Sequence, residues 1–389
     1  MWMDPALLYA QTKVPEIVQS IRRMVECESP SDDPAAVNRF VDLFAAEVAD
    51  IAKVRTFPSV GSAYGKHMRC EFQLPGPRKK SGPQILGLGH SDTVYPLGIL
   101  KTMPWRQEDG RLYGPGVLDM KGGLAFFVWA MRALRELDRP VGRKVVLQVN
   151  SDEEVGSESS RALSEEAALQ SVAVLVLEPG TGSTGKLKTA RKGVGDYTVK
   201  IRGIASHAGV DFTSGASAIV ELARQIENIS RFTRLDRGMT VNPGVVRGGT
   251  RTNVIAAEAR VEVDIRIARL RDAAVLEKAF RSLKPMDKRC SIEVSGGLNR
   301  PPMERTAAIG KLFGVARKLA REVGVKLEES STGGGSDGNF TAALGVPTLD
   351  GLGTVGEGAH APHESIAVDR IADRTALLAK LVEAIANGK

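Results

Sequence analysis

The sequence predicts an α/β protein in which a mixed sheet with flanking helices is interrupted by a smaller α+β domain of ferredoxin-like order. Three features carry this expectation. Short apolar runs end in ligand-type residues: Ile85–Asp92, Val146–Asn150 followed by Glu153 and Glu154, and Val172–Glu178. Segments of helical periodicity lie between them, the pattern of strands alternating with helices. From Gly195 to Arg300 the texture changes to closely spaced strands with only two helices among them.

Residues from Pro5 to Asp50 read as two helices broken at Ser29-Pro-Ser-Asp-Asp-Pro34, where Asp and Ser stand as N-caps before an apolar-periodic segment. A β-α pattern then runs to Lys186. Within it, Gly122–Leu137 is apolar on most of its early face and carries Arg and Glu late, as a helix packed on a sheet does. Further on, Tyr197–Arg202, Thr240–Val246, Ala256–Ala268 and Ile292–Val294 are predicted strands, and Ala216–Ile229 and Asp272–Leu283 predicted helices. Their order, β-α-β-β-α-β, makes a complete small domain. Beyond Met303 the chain returns to a long helix, Ile309–Val323, then a Gly-rich loop and the apolar run Val346–Leu349. The larger domain is therefore expected at 1–190 and 303–389, with 191–302 inserted.

With 389 residues, 42% hydrophobic and 25% charged, the chain has room for two domains and a sizeable core. Lys and Arg exceed Asp and Glu by 53 − 46 = 7, but the basic residues are scattered, so no nucleic-acid partner is expected. Cys27, Cys70 and Cys290 are odd in number and lack C-x-x-C spacing, which argues against a disulfide framework and a thiolate zinc site, and for a cytoplasmic location. No stretch approaches the ~20 apolar residues of a membrane span, and Met1-Trp-Met-Asp-Pro has no basic start followed by an apolar core, so no membrane association is expected.

In open α/β sheets ligands bind beyond the carboxyl ends of the strands, so His90, Glu154 and Glu178 are expected to meet. Asp119 and His360 join them as candidates. All five are nitrogen or carboxylate donors, which suits zinc, cobalt or manganese in a hydrolytic site rather than a structural zinc. His90 and His360, two of only five histidines, sit in Gly-rich, polar surroundings rather than on a helix face. Glu153 and Glu154 cannot easily serve one metal together, because neighbours on an extended segment point opposite ways. One ligand and one base is the expected division.

Gly89-His-Ser-Asp-Thr-Val94, Gly114-Pro-Gly-Val-Leu-Asp-Met-Lys-Gly-Gly123, Ser151-Asp-Glu-Glu-Val-Gly156, Leu177-Glu-Pro179, Ser206-His-Ala208, Gly334-Gly-Ser-Asp337 and His360-Ala-Pro-His-Glu364 follow one another along the chain. As an ordered set they resemble the motifs of the dinuclear-zinc aminoacylase/carboxypeptidase family, metallopeptidase family M20. Within it the resemblance is greatest to glutamate carboxypeptidases of the carboxypeptidase G type. It implies a zinc-peptidase-like catalytic domain, a lid and dimerisation domain, a homodimer, and two divalent cations, with zinc ahead of cobalt or manganese. Asp119 would bridge the metals, with His90 and Glu178 completing one site and Glu154 and His360 the other. Asp92 would orient the His90 imidazole. Glu153 would be the general base, taking the proton of a water held between the cations so that the hydroxide attacks an amide carbonyl. The resemblance also implies a cis peptide at Asp119-Met120.

His207, in the small domain, would by the same resemblance donate to the oxyanion, often from the partner subunit. Lys186, Asn253 and Arg266 would bind the carboxylates of a small peptide or N-acyl amino acid, with Arg300 a further candidate. Gly334, within Gly333–Asp337, would line the pocket with backbone donors. A glutamate-like product is implied, although N-acyl amino acid, acetylornithine and succinyl-diaminopimelate deacylases share the metal core and form the alternative. His363 stands where the closing motif commonly has Asn or Asp, and the spacing to Glu364 favours His360 as the ligand.

A rival of another class comes from Gly180-Thr-Gly-Ser-Thr-Gly185-Lys186, which satisfies G-x-G-x-x-G and nearly satisfies the P-loop pattern. Both nucleotide motifs need a helix to start at the loop. Leu187–Gly195 is short and Gly-broken, and Leu187 stands where a hydroxyl is required, so nucleotide binding is not expected.

Overall fold

In the computed structural model, which describes residues 4–77 and 82–388, the N-terminal region folds as three helices where two were expected: Pro5–Thr12, Val14–Glu26 and Pro34–Val48. Pro15 accounts for the extra break. It has no N–H to give to the preceding turn, so the first helix ends at Thr12 and a second restarts behind it. Asp33, within the stretch that offered N-caps in the sequence, accepts from the N–H of Ala36 at 2.9 Å, and Asp4, which the sequence reading did not single out, accepts from that of Ala6 at 2.9 Å, each with a proline at the first helical position.

The chain divides into two units. One comprises residues up to Ala190, Arg305–Ser331 and Ser336 onward; the other comprises Arg191–Glu304 with Thr332–Gly335. Gly334, placed by sequence with the larger domain, thus falls in the smaller unit.

The larger unit is built on a six-stranded sheet. Its spatial order is Ala52–Phe57, His67–Phe72, Val145–Asn150, Gln84–His90, Ser171–Val176, Thr348–Leu349. The first three pair antiparallel and the rest parallel, with His90 opposite Asn150 and Leu88 opposite Val176. Every residue of Val145–Asn150 is buried, as a central strand covered on both faces requires. Alternate side chains feed two cores. Ile85, Val145, Leu147 and Leu175 face the helices Gly122–Glu136 and Ile371–Ala386, while Leu86, Leu88, Val146, Val174 and Val176 pack with Ala167 and Ala168 of the helix Arg161–Leu169. Each such buried Leu or Val contributes about 1.5–3 kcal/mol of transfer free energy, which fixes the register and hence where the strand ends point.

The smaller unit is a four-stranded antiparallel sheet ordered Thr240–Gly248, Glu258–Ile267, Gly193–Arg202, Ser291–Arg300. Helices Ala218–Ser230 and Arg271–Arg281 complete the ferredoxin-like order, and Tyr197, Val199, Val261, Val263, Leu222 and Phe280 share their core. The last strand runs six residues past its expected end at Val294. Gly296, at φ 92°, makes this possible, since a Cβ there would stand 2.3 Å from the Asp196 carbonyl of the neighbouring strand.

Gly180–Lys186 forms a tight hairpin, with Thr181 and Lys186 exchanging main-chain hydrogen bonds at 2.9 and 3.0 Å, and it leads into the strand Leu187–Arg191. The helix N-terminus that nucleotide binding would need is not there. No helix among the described residues is long and apolar enough to cross a membrane. Cys27, Cys70 and Cys290 are free thiols.

Candidate metal centre

The parallel strands deliver their ligand-type residues to one edge. His90 is the last residue of its strand, Glu153 and Glu154 lie on the turn after Val145–Asn150, and Glu178 lies two residues past Ser171–Val176. Asp119 comes from the irregular turn Val117–Lys121 ahead of the helix Gly122–Glu136, and its peptide bond to Met120 is cis. His360 follows the short strand Gly356–Glu357 in a left-handed conformation, φ 62°.

Asp119 stands between the two imidazoles. Its Oδ1 is 3.1 Å from His90 Nε2, and its Oδ2 is 3.5 Å from His360 Nε2. On the first side Glu178 Oε1 lies 3.6 Å from His90 Nε2, and on the second Glu154 Oε1 lies 3.3 Å from His360 Nε2. Ligand atoms of His90, Asp119 and Glu154 fall within 4.8 Å of one another, as do those of His90, Glu153 and Glu178. His90, Asp92 and Glu178 are buried, whereas the His360 side chain is 49% exposed.

His90 Nδ1 donates to the Asp92 main-chain carbonyl at 2.9 Å, so that on losing its Nε2 proton the ring would offer the Nε2 lone pair, on the Asp119 side, to a cation. The orienting group is thus chiefly the carbonyl of Asp92, its carboxylate lying at 3.4 Å. That carboxylate does something else: it accepts from the N–H groups of Glu153 and Glu154, both at 3.2 Å, and from Ser31 Oγ at 2.8 Å. Glu153 and Glu154 therefore sit on a single 3-10 turn gathered under Asp92 rather than on the extended segment expected. They still diverge, Glu154 toward His360 and Glu153 toward His90 and Glu178.

Burial opposes charge on His90, but hydrogen bonds to Asp119, Asp92 and Glu178 raise its pKa well above the usual imidazole value. Asp119 and Glu154 raise His360 to about 10. Burial also favours neutral Asp119, yet the two imidazoles hold its carboxyl well below the carboxylate range, while burial pushes Glu154 up to about 6. Glu154 Oε1 is buried and, despite its 3.3 Å approach to His360, has no hydrogen bond of adequate geometry. An orphaned carboxylate oxygen among nitrogen and oxygen donors is what a divalent cation satisfies, so these residues fit a metal site.

The larger unit reinforces this edge through residues that sequence reading did not single out for this role. Glu364 accepts from the N–H groups of Gly116, Leu118 and Asp119 at 3.0, 2.7 and 2.9 Å, and Thr354 Oγ donates to the Leu118 carbonyl at 2.9 Å. Gly123 and Gly353 press on the carbonyl of Leu177, where a Cβ on either would come within 2.1 Å. The signal for Glu364 was its place in the closing motif; for Thr354 there was none.

Lys186, on the hairpin of the same unit, is ion-paired with Glu328 at 2.8 Å. Within the smaller unit His207 and Asn253 are brought together: Ala208 N–H donates to the Asn253 carbonyl at 2.9 Å, and His207 pairs with Val254 across an isolated bridge. His207 is exposed, and its Nδ1 accepts from Gly209 N–H at 3.1 Å, so a neutral ring carries its proton on Nε2. Arg266 is forked onto Asp264 by contacts of 2.8 to 3.1 Å, with a further bond to the Gly333 carbonyl at 3.3 Å. Arg300 is buried against Gly335, and the Gly334 carbonyl accepts from Arg191 at 3.2 Å.

A mixed α/β sheet that gathers imidazoles and carboxylates without thiolates at its carboxyl edge defines a metallo-hydrolase of the peptidase and aminoacylase class. The chain belongs to Peptidase family M20/M25/M40, whose profile matches residues 87–384. It is 30% identical to carboxypeptidase G2 of Pseudomonas sp. (strain RS-16), over 99% of this chain and 93% of that protein. It is 26% identical to a succinyl-diaminopimelate desuccinylase of Dechloromonas aromatica, over 79% of this chain and 84% of that one. Its fold is similar to that of aminopeptidase PepT from Bacillus cereus ATCC 10987, with a TM-score of 0.78 at 24% identity over 96% and 99% of the two chains.

Proposed function

We propose that this enzyme cleaves the amide bond to a C-terminal glutamate-like amino acid, using two divalent cations and Glu153 as general base. The observation that carries the two-metal reading is the Asp119 carboxylate, which offers one oxygen toward His90 and the other toward His360. His90, Asp119 and Glu178 would hold one cation and Asp119, Glu154 and His360 the other. Cations held there, zinc being the best match to these donors, supply Lewis acidity toward a carbonyl oxygen and make a nearby water more acidic. Glu153 then takes the proton from the attacking water and delivers it to the leaving amine. Asp92 holds the turn from which Glu153 reaches the site and fixes the tautomer of His90. His207, with its Nε2–H exposed, is the donor proposed for the oxyanion.

Substrate class rests on the similarity to carboxypeptidase G2 and on Lys186, Asn253 and Arg266. Lys186 and Arg266 are already ion-paired with Glu328 and Asp264, so each exchanges or shares its carboxylate when a substrate carboxylate arrives. The similarity to a succinyl-diaminopimelate desuccinylase supports, as a second reading, an N-acyl amino acid deacylase of that kind. Zinc-loaded protein offered a panel of N-acyl glutamates, aspartates, basic and apolar amino acids separates the two. Preference for acyl-glutamates is expected, and replacing Lys186, Asn253 and Arg266 together by Ala should lower kcat/KM by about 100-fold or more, with metal retained, since each charge-assisted hydrogen bond contributes about 1.5–3 kcal/mol. Undiminished hydrolysis of acyl-glutamates by the triple variant would refute the substrate assignment.

A further inference from the structure

The imidazole of His67 is fully buried in the larger unit, outside every motif described above. It opens the strand His67–Phe72, whose neighbour is Val145–Asn150, so its ring stands beside the turn that follows Asn150. Its Nδ1 accepts the main-chain N–H of Ser151 at 3.2 Å and lies 3.0 Å from Ser151 Oγ, whose proton goes to the Gly65 carbonyl. An accepting Nδ1 leaves the proton of the neutral ring on Nε2, which donates to Ser159 Oγ at 2.9 Å. Ser159 Oγ accepts in addition from Val60 N–H at 2.9 Å.

One ring therefore ties both ends of residues 151–159, the segment that carries Glu153 and Glu154. The segment is closed on itself as well: Asp152 Oδ2 accepts from the N–H groups of Ser159 and Ser160 at 2.7 and 3.3 Å, and its carbonyl from Ser157 N–H at 2.8 Å. Burial keeps the ring neutral by pushing its pKa down to about 4, against the pull of Asp92 and Asp337.

We propose that His67 is a positioning residue for amide cleavage, its Nε2-protonated ring setting where Glu153 and Glu154 stand. The inference rests on Glu153 as base and Glu154 as metal ligand. A ring that only filled the core could be exchanged for Leu at a cost in stability alone. A positioning ring cannot, because Leu leaves Ser151 N–H without its acceptor and frees the segment to shift. Asn restores an acceptor close to the place of Nδ1.

The test compares His67→Leu, His67→Asn, Ser159→Ala and Glu153→Gln in the full chain, measuring kcat, KM and the affinity of metal-free protein for Zn²⁺ by competition with a chromophoric chelator. His67→Leu is expected to keep KM within about twofold while kcat and zinc affinity each fall about 10- to 100-fold, and His67→Asn to recover most of both. Ser159→Ala, which removes the Nε2 partner together with the acceptor of Val60 N–H and keeps the ring on Ser151, reads the Nε2 end of the tie should the Leu variant not fold, and is expected to lower kcat with KM unchanged. If kcat and zinc affinity of the folded variants equal those of the parent while Glu153→Gln is inactive, the proposal for His67 is overturned and the base assignment stands. An active Glu153→Gln protein overturns the base assignment on which the proposal rests.

Discussion

Exchange of Glu153 for Gln is expected to lower kcat by about 10²–10⁴-fold, the range typical of a lost general base, with fold and metal content unchanged. The amide is nearly isosteric with the carboxylate and cannot take a proton. The main-chain N–H of residue 153 still donates to Asp92, so the turn that also presents Glu154 keeps its place. Metal content is the deciding control, because Glu153 groups with His90 and Glu178 within 4.8 Å. Were Glu153 a ligand, the Gln variant would lose metal along with turnover. Steady-state kinetics and elemental analysis on one preparation tell the two roles apart.

The largest stability effect is expected at Arg374. This side chain is 1% exposed, and its guanidinium reaches three main-chain carbonyls: Gly353 at 2.8 Å through Nε, Gly185 at 3.0 Å through Nη1, and Gly351 through Nη2. The same loop meets the metal edge, since Gly353 N–H donates to the carbonyl of Glu178 at 2.9 Å. Replacement by Leu strands three buried acceptors at about 1–3 kcal/mol each, partly offset by relief of the desolvated charge. The net loss should be about 3–5 kcal/mol, as for other broken buried charge networks. Lys, with one ammonium in place of the fork, should recover only part of it. Urea denaturation followed by a probe in the larger unit measures this, and a loss under about 1 kcal/mol would contradict the role assigned to the network.

What the sequence reveals depends on whether a residue acts through a side chain in a pattern or through the backbone. His90, Glu154 and Glu178 are legible because each follows an apolar run, and the parallel pairing of those runs places their ends together. The ferredoxin-like order is legible from strand and helix spacing, but the last strand continues past Val294 because two glycines adopt conformations closed to other residues, which periodicity does not register. His67, Glu364 and Arg374 serve main-chain N–H and carbonyl groups far along the chain, and no composition or spacing encodes such partners. The pairing of Arg266 with Asp264 was within reach of pattern reading, because residues two apart on a strand share a face. Gly334 was assigned to the larger domain because it follows the helix Ala307–Glu322 in sequence; its carbonyl is instead held by Arg191 of the smaller unit.

Metal stoichiometry tests the central claim most directly. Metal-free protein titrated with Zn²⁺ in a calorimeter, with amide hydrolysis assayed at each addition, should bind two ions per chain. Asp119→Ala should impair both sites at once, because Asp119 offers one oxygen to each imidazole. Full activity with no metal bound, or saturation at a single ion with Asp119→Ala binding normally, would contradict the account.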